Sequence, residues 1–216
     1  MITNPNAKRI LCFGDSLTWG YIPNSGHLRF APNKRWTGVL QDELGDHYEV
    51  IEEGLNSRGI DQGDPRPGKE GRRGLDYIEA CLDTHDPIDY VVVLLGTNEL
   101  KDAMQQSPQQ ISQSMHTLLE LIRNRPSQFR EERPQIILVA PPIVDETKEY
   151  ARKDNKYRGA ASKSRELARE YEALAKELGV SFVNSADVVA TGADGVHIDA
   201  ANHKKLGQRL AREFLS

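Results

Sequence analysis

Short apolar runs alternate along this chain with longer segments of helical periodicity. The apolar runs have the length of buried strands and lie at 10–13, 48–51, 90–95, 135–140 and 180–183. The amphipathic segments predict helices at 35–44, 74–83, 109–124, 162–178 and 200–214. Because a crossover between parallel strands passes over a face of the sheet, this alternation is typical of a parallel sheet covered by helices on both faces. The sequence therefore predicts the α/β class with a five-stranded parallel sheet.

Two of the predicted helices carry recognisable end signals. Gly179 follows the apolar positions of the fourth helix at the place where a C′ glycine usually stops a helix. Asp199 precedes the last helix and is a good N-cap residue, because its carboxylate can accept a hydrogen bond from a free backbone N–H. We expect the two helices to end and begin at these residues.

Length and charge narrow the class of protein further. The 216 residues predict a single domain, 1–216, with a sizeable core. The chain has 32 acidic and 28 basic residues, mixed along its length, which argues against a nucleic-acid partner. The run at 10–13 is too short for a signal sequence or a membrane span, so we expect no membrane partner and a cytoplasmic location. Cys12 and Cys81 are expected to be two separate buried thiols.

Ser16 lies where the first apolar run breaks into a turn, in the sequence Phe-Gly-Asp-Ser-Leu. A turn that opens a helix exposes a hydroxyl beside free backbone N–H groups, which suits a nucleophile and equally suits a helix N-cap. His197 would be the base, and Asp194, three residues earlier, would be the acid that orients it. Asp187 is an alternative acid. The predicted catalytic residues are therefore Ser16, His197 and Asp194.

Four short sequence blocks resemble the SGNH-hydrolase (GDSL-esterase) family, in the family's order and at fitting spacings. The blocks are Gly14-Asp15-Ser16-Leu17, the glycine of Glu53-Gly54-Leu55-Asn56, Gly96-Thr97-Asn98-Glu99 and Asp194-Gly195-Val196-His197. The stretch from Phe13 to Tyr21, with Arg35-Trp36 and Glu52-Glu-Gly-Leu, is most similar to the bacterial arylesterase and acyltransferase branch. The resemblance implies a flavodoxin-like three-layer sandwich with strand order 2-1-3-4-5.

The resemblance also implies an oxyanion hole, the set of donors that stabilises negative charge on the reacting carbonyl oxygen. Its members would be the backbone N–H groups of Ser16 and Gly54 and the side chain of Asn98, although an asparagine at a strand end can equally be a loop cap. A glycine suits position 54 because substrate must approach the backbone closely. Asp15 is expected to buttress the turn, and Asn56 to join the Gly54 loop to the Asn98 loop by hydrogen bonds.

One residue departs from the family pattern and three long segments lack periodicity. Glu99 stands where the family usually has Asp. The segments 21–34, 57–73 and 141–157 follow predicted strands, so we expect them to wall the site at the carboxyl edge of the sheet. Trp19, Tyr21 and Ile143 are the expected substrate-pocket residues. Because these long segments carry apolar residues, including Ile22, Phe30, Ile143 and Val144, we also expect a homo-oligomer that covers them.

These features lead to one preferred function and several alternatives. The preferred function is hydrolysis of short-chain carboxylic esters of small molecules through an acyl-enzyme, with acyl transfer or perhydrolysis as a side activity. The alternatives are a carbohydrate acetylesterase, a thioesterase or lysophospholipase with the same triad, and a non-catalytic ester- or carbohydrate-binding relative. No cofactor is expected, since the chain has neither G-x-G-x-x-G nor G-x-x-x-x-G-K-[ST]. No metal is expected either, because His203 is six residues from His197 and not four.

Overall fold

A computed structural model describes residues 3–215 and contains one five-stranded, all-parallel sheet. Its strands are β1 (Lys8–Gly14), β2 (Tyr48–Gly54), β3 (Tyr90–Leu94), β4 (Gln135–Ala140) and β5 (Ser181–Asn184). They lie in the order β2-β1-β3-β4-β5, each hydrogen-bonded in parallel to its neighbour. The predicted class, strand number and strand order are confirmed.

Seven α-helices connect or follow these strands within the described residues. They are α1 (Ser16–Trp19), α2 (Trp36–Leu44), α3 (Ile78–Thr84), α4 (Pro108–Asn124), α5 (Glu149–Arg152), α6 (Ala160–Leu178) and α7 (Ala200–Leu215). The expected end signals are found: Gly179 ends α6 in the left-handed conformation, and Oδ1 of Asp199 accepts from the Asn202 N–H at 2.8 Å before α7. Gly179 thus fixes where the chain leaves α6 for β5, and Asp199 fixes where α7 begins.

Side chains of each central strand alternate between two hydrophobic clusters, one on each face of the sheet. In β1, Leu11 and Phe13 point into the cluster formed with α3, α4 and α6, whereas Ile10 and Cys12 point into the cluster formed with α2 and α7. The strand period of two places successive side chains on opposite faces, and all four are fully buried. The molecule is therefore a three-layer helix–sheet–helix sandwich.

The structure differs from the sequence prediction in the short elements. The helix expected at 74–83 is divided into a 3-10 turn, Gly74–Asp76, and α3, which begins at Ile78. The helices α1 and α5 have four residues each, which is too short to show a helical period. Strand β2 continues to Gly54 because Gly54 still pairs with Gly14. These differences lie near the carboxyl edge of the sheet, where the candidate site is found.

Some apolar residues of the long segments are covered by their own chain. Val144 is fully buried in the core, and the ring of Phe30 packs edge-on against His203 with centroids 5.2 Å apart. Part of the reason for expecting a homo-oligomer is therefore wrong, because contacts within the chain cover these apolar groups. Cys12 and Cys81 are buried free thiols, as expected. None of the helices formed by residues 3–215 combines the length and the apolar character needed to cross a bilayer.

Candidate active site

Ser16 is the first residue of α1 and follows the carboxyl end of β1. The chain continues from β1 to β2 on one side of β1 and later to β3 on its other side, so this point is the topological switch of the sheet. The carboxylate of Asp15 caps α1 by accepting from the Leu17 N–H at 2.8 Å. The N-cap role considered for Ser16 thus belongs to Asp15, and the Ser16 hydroxyl is left for other contacts.

The Ser16 hydroxyl forms a continuous hydrogen-bonded row with His197 and Asp194. The Oγ of Ser16 lies 3.0 Å from Nε2 of His197, and Nδ1 of His197 lies 2.6 Å from Oδ2 of Asp194. All three side chains are buried. Asp187 instead accepts from the side-chain amide of Asn184 at 2.8 Å. The structure therefore brings the predicted triad together and selects Asp194 over Asp187.

The loop that carries His197 is shaped by hydrogen bonds to Asp194 and by Gly195. Oδ1 of Asp194 accepts from the backbone N–H groups of Val196 and His197, at 2.9 and 2.8 Å. Gly195 has a φ of +78°, and a Cβ there would lie 2.2 Å from the backbone oxygen of Asp145. A side chain at position 195 would push the loop away from the segment after β4. The glycine therefore allows the loop to place the Asp194 carboxylate beside the His197 imidazole.

Two opposing effects act on the Asp194 carboxyl. Burial alone would raise its pKa. The hydrogen bond to His197, the charge of His197 and the two backbone donors outweigh burial and lower the pKa below its ordinary value. Asp194 is therefore a carboxylate at neutral pH. Its negative charge favours a positive charge on the adjacent imidazole, which is what a base that takes up a proton requires.

Aromatic rings enclose the imidazole. The ring of Tyr21 stacks on His197 with centroids 4.3 Å apart and planes inclined by 29°, and Tyr150 lies on it at 6.1 Å. His27 packs edge-on against Tyr21 at 5.9 Å. Tyr21 belongs to the segment 21–34 and Tyr150 to the segment 141–157. Both segments therefore wall the site, as expected.

Asn98 follows β3, which neighbours β1 in the sheet, and its side chain reaches the Ser16 turn. Its Nδ2 donates to the Arg58 carbonyl at 2.9 Å and lies 3.3 Å from Oδ2 of Asp15. The first bond orients the amide plane, and the second contact is long for an N–H···O bond. Asn98 also lines the cavity in front of Ser16. One proton of the Asn98 amide is thus held by the Arg58 carbonyl, and the other makes only a weak contact with Asp15.

Gly54 ends β2, the other neighbour of β1, and is packed against α1. A Cβ at Gly54 would lie 2.2 Å from the backbone nitrogen of Trp19 and 2.7 Å from the carbonyl carbon of Thr18. The expected reason for a glycine here was close approach of substrate. The structure gives a different one: α1 approaches the end of β2 so closely that no side chain fits between them.

Two further carboxyl groups are buried behind the Ser16 turn. Burial raises the pKa of Asp15 to about 6, although the Leu17 N–H and the charge of His197 oppose the shift. Burial likewise raises the pKa of Glu99 to about 7, opposed by the Ile60 N–H, which donates to its Oε1 at 2.5 Å. The second oxygen of Glu99 has no hydrogen-bond partner within residues 3–215. Glu99, in place of the family's usual Asp, thus reaches the loop whose Arg58 carbonyl orients Asn98.

The expected link through Asn56 is not formed. Its Oδ1 is buried without a hydrogen-bond partner in the described part of the chain, although Asn56 lines the cavity. The two loops are joined instead by the Asn98 amide on the Arg58 carbonyl. The guanidinium of Arg58 supports the same loop by donating to the carbonyl of Gly14 at 3.0 Å. The prediction for Asn56 is wrong because the Asn98 amide donates to the Arg58 carbonyl instead.

A cavity of about 60 Å³ lies in front of Ser16, and its lining corrects two predicted pocket residues. Trp19 is not part of the lining: it lies behind Tyr21 and stacks on the guanidinium of Arg29 at 5.0 Å. Ile143 lines a different cavity, beside α6 and β5. Tyr21 is the one expected pocket residue that lines the cavity.

Several lining residues were not anticipated from the sequence. The unexpected members include Arg66, Lys69, Lys101, Tyr150 and Tyr157. Four of them lie on the long segments 57–73 and 141–157 and Lys101 lies on the turn after β3, so their position after a strand was the available signal. No periodicity marks which residue of an irregular segment turns inward, and the individual residues could not be selected.

One cluster outside the site has metal-ligand chemistry. Donor atoms of Glu53, Cys81 and His85 lie within 4.8 Å of one another, and Nε2 of His85 is 2.9 Å from Oε1 of Glu53. Burial, together with the charge of Glu53, raises the pKa of Cys81 to about 12, although the positive charge of Arg58 opposes this shift. A metal ion would have to displace the thiol proton beside that cation. The cluster fits a polar contact between β2 and α3 better, and its sequence signal is the i, i+4 spacing of Cys81 and His85.

The chain belongs to the GDSL-like Lipase/Acylhydrolase family, whose model matches residues 12–205. The match spans all four sequence blocks and the whole triad. Among curated protein sequences, none matches the chain significantly. Together with the esterase structures below, the family makes this chain a hydrolase of carboxylic esters.

Solved structures of similar sequence share the whole fold. The native aryl esterase of M. smegmatis is 38% identical with a TM-score of 0.88, and the match covers 97% of this chain and 99% of that one. Est24, a carbohydrate acetylesterase from Sinorhizobium meliloti, is 33% identical with a TM-score of 0.89, over 96% and 98% of the two chains. A second carbohydrate acetylesterase family member from Sinorhizobium meliloti is 35% identical with a TM-score of 0.89, over 96% and 97%.

Proposed function

We propose that the chain is a serine esterase that hydrolyses short-chain carboxylic esters through an acyl-enzyme. The observation that carries this proposal is the buried row from Asp194 through His197 to Ser16, with separations of 2.6 and 3.0 Å. A serine hydroxyl is a weak nucleophile until a base removes its proton, and the base must be held by an acid behind it. The non-catalytic alternative is less well supported, because the nucleophile, the base and the acid are all hydrogen-bonded to one another.

In the first half of the reaction, the Oγ of Ser16 attacks the ester carbonyl while Nε2 of His197 takes up the hydroxyl proton. The carbonyl oxygen becomes an oxyanion, for which the N–H groups of Ser16 and Gly54 and the Nδ2 of Asn98 are the proposed donors. Asn98 can serve because only one of its amide protons is firmly engaged. The C–O bond to the alcohol then breaks, and His197 returns the proton to the leaving oxygen.

In the second half, water attacks the acyl-enzyme and gives up its proton to His197. The acid is released when the proton returns to Ser16. An alcohol in place of water would give a new ester, and hydrogen peroxide would give a peracid. These acyl-transfer reactions are the proposed side activity, and they use the same groups without a cofactor.

The preference for short acyl groups is supported by the size of the site. The cavity in front of Ser16 measures about 60 Å³ and is lined by the rings of Tyr21, Tyr150 and Tyr157. Tyr157 is fully buried, and Tyr21 is held by its stack on His197. A long acyl chain would have to displace these rings.

Deacetylation of carbohydrates is the second candidate. It is supported by the likeness to two carbohydrate acetylesterases at 33% and 35% identity. Polar groups around the cavity, including Asn56, Ser57 and Lys69, could bind sugar hydroxyls.

A series of p-nitrophenyl esters from acetate to octanoate, run beside a panel of acetylated sugars, separates these possibilities. We expect kcat/KM to be highest for acetate and to fall steadily with chain length. A preference for octanoate would contradict the short-chain proposal. A higher kcat/KM for acetylated sugars than for simple acetate esters would favour the carbohydrate acetylesterase.

Assembly and location stay predictions. A homo-oligomer is still favoured by Leu28, which is 62% exposed in the segment 21–34 beside the catalytic cavity. A cytoplasmic location is the expectation from the sequence alone.

A further inference from the structure

A second and larger cavity adjoins the catalytic one. It measures about 570 Å³ and shares Arg66, Lys101 and Tyr150 with the cavity in front of Ser16. The exposed residues Pro65 and Lys153 lie at its outer part, so it opens to solvent. The smaller cavity suits an acyl group, which stays bonded to Ser16 after the alcohol has left. The larger cavity is therefore the space available to the alcohol part of an ester.

Three separate parts of the chain bring positive charge to this cavity. Arg66 comes from the segment 57–73, Lys101 from the turn after β3, and Lys156 from the end of the segment 141–157. Lys153 also lines the outer part, and Lys69 lines the catalytic cavity. Because these residues are far apart in the sequence, only the fold places their charges together.

Four cations line this cavity with three carboxylates, Asp64, Asp102 and Asp154, so part of the positive charge is unbalanced. Arg66 and Lys101 share one carboxylate, Asp64: Nε of Arg66 donates to its Oδ1 at 2.8 Å, and Nζ of Lys101 lies 3.7 Å from its Oδ2. The carboxylate of Asp102 is bound by Arg158, at 3.1 and 3.2 Å. Two cations therefore face one carboxylate at the boundary between the cavities.

Lys156 forms no ion pair with any carboxylate of residues 3–215, and its ammonium lies 3.6 Å from the centroid of the Tyr150 ring. Lys69 likewise has no ion-pair partner within those residues. A cation over an aromatic face keeps its charge while one side is shielded from water. The Lys156 ammonium is therefore available to a ligand on its open side.

The pKa values of the lysines reflect this crowding. Burial, together with the charges of Arg66 and Lys156, lowers the pKa of Lys101 to about 8 against the attraction of Asp64. Burial and the charge of Arg66 also lower the pKa of Lys156. A negatively charged ligand would relieve the repulsion among these cations and would be attracted by them.

We propose that this cavity binds the alcohol part of the substrate, and that the preferred ester carries a carboxylate on that part. The inference rests on the proposed esterase function and names its substrate class: short-chain esters of hydroxy acids. Lys156 and Lys101 are the residues that bind the carboxylate. The reaction stays an ordinary hydrolysis, in which one water converts an O-acetyl hydroxy acid into acetate and the free hydroxy acid.

The test compares two acetate esters of nearly equal intrinsic reactivity: 4-acetoxyphenylacetate, which is an anion, and its neutral primary amide. A methylene group separates the charge from the reacting ester, so the rates of alkaline hydrolysis of the two esters provide a correction for any remaining electronic difference. We expect the wild-type enzyme to show about tenfold higher kcat/KM for the anion, the size of one hydrogen bond to a charged group. Raising the salt concentration should reduce this preference.

Lys156→Met is the informative variant, because it keeps much of the side-chain length and removes the charge. We expect the ratio of kcat/KM for the anion to that for the amide to fall to near unity. Lys205→Met, on the exposed face of α7, is the matched control and should leave the ratio unchanged. Because both rates are measured on the same variant, a general loss of active enzyme cancels in their ratio.

The outcomes separate this inference from the proposed function. If wild type hydrolyses the amide but does not prefer the anion, the inference is overturned and the esterase proposal stands. The same holds if Lys156→Met keeps the preference of wild type. If wild type hydrolyses neither ester nor any p-nitrophenyl ester, the proposed function fails and the inference fails with it.

Discussion

The triad and the carboxyl cluster behind it, formed by Asp15 and Glu99, are both buried, but the pKa values of their carboxyl groups are shifted in opposite directions. In the triad, both oxygens of Asp194 accept short hydrogen bonds, and its pKa is lowered in spite of burial. In the cluster, Asp15 and Glu99 are more deeply buried with fewer donors, and their pKa values are raised to about 6 and about 7. Full burial with few donors raises the pKa values of Asp15 and Glu99, whereas three hydrogen bonds and the adjacent His197 outweigh the burial of Asp194.

This difference separates two tasks within one site. In the proposed mechanism, a charged Asp194 holds the imidazole for proton transfer. Glu99 and Asp15 support the Asn98 loop, and their protonation changes within the neutral range. We therefore expect the chemistry to depend on the triad and the pH dependence of stability to depend on the cluster.

The largest expected effect comes from Ser16→Ala. Removing the nucleophile should lower kcat for p-nitrophenyl acetate on the order of a million-fold, as triad knockouts do in other serine hydrolases. The change removes one oxygen and should leave the circular dichroism spectrum unchanged. Ser112→Ala on α4 is the matched control and should keep wild-type activity. A Ser16→Ala variant with more than a tenth of the wild-type kcat would exclude Ser16 as nucleophile.

Asn98→Ala should lower kcat by about a hundredfold to a thousandfold and change KM much less, because its amide is needed where negative charge develops. Asn56→Ala is the comparison variant from the same cavity. The Oδ1 of Asn56 has no hydrogen-bond partner among residues 3–215, so we expect less than a tenfold loss. Steady-state kinetics with p-nitrophenyl acetate measures both. Equal losses in the two variants would make Asn98 a loop-capping residue and remove it from the oxyanion hole.

The smallest expected effect concerns the charge of Glu99. Its pKa is raised above the ordinary value of 4.5, so its contribution to stability is fully present below that pH and is lost as the pH rises through about 7. Glu99→Gln has no such loss. The free energy of unfolding of the variant relative to wild type should therefore rise by about 3 kcal/mol between pH 4.5 and pH 8, since one pKa unit is about 1.4 kcal/mol.

Urea unfolding at the two pH values measures this difference. Glu131→Gln, at an exposed position, is the control and should follow wild type at both pH values. Parallel pH dependence in Glu99→Gln and wild type would show that Glu99 is ionised in the folded protein at no cost. The proposed contrast between the triad and the carboxyl cluster would then be wrong.

Much of the fold could be predicted because its signals are local. The apolar runs and the amphipathic segments between them follow the periods of strands and helices, and the caps at Gly179 and Asp199 need only their immediate neighbours. The short helices α1 and α5 could not be predicted, because four residues carry no period. Their position depends on the close packing of α1 against Gly54 and of α5 against the site.

The candidate site divides in the same way. The sequence by itself determined which residues could form a triad, since Ser16 follows a strand and Asp194 precedes His197 by three positions on one loop. Only the tertiary structure decided that Tyr150 and Lys101 line the site in place of Trp19 and Ile143, and that Arg58 binds Asn98 in place of Asn56. It also decided the charges of Asp15 and Glu99. Burial and pKa depend on side chains that lie far apart in the sequence, and these meet only when the sheet edge is assembled.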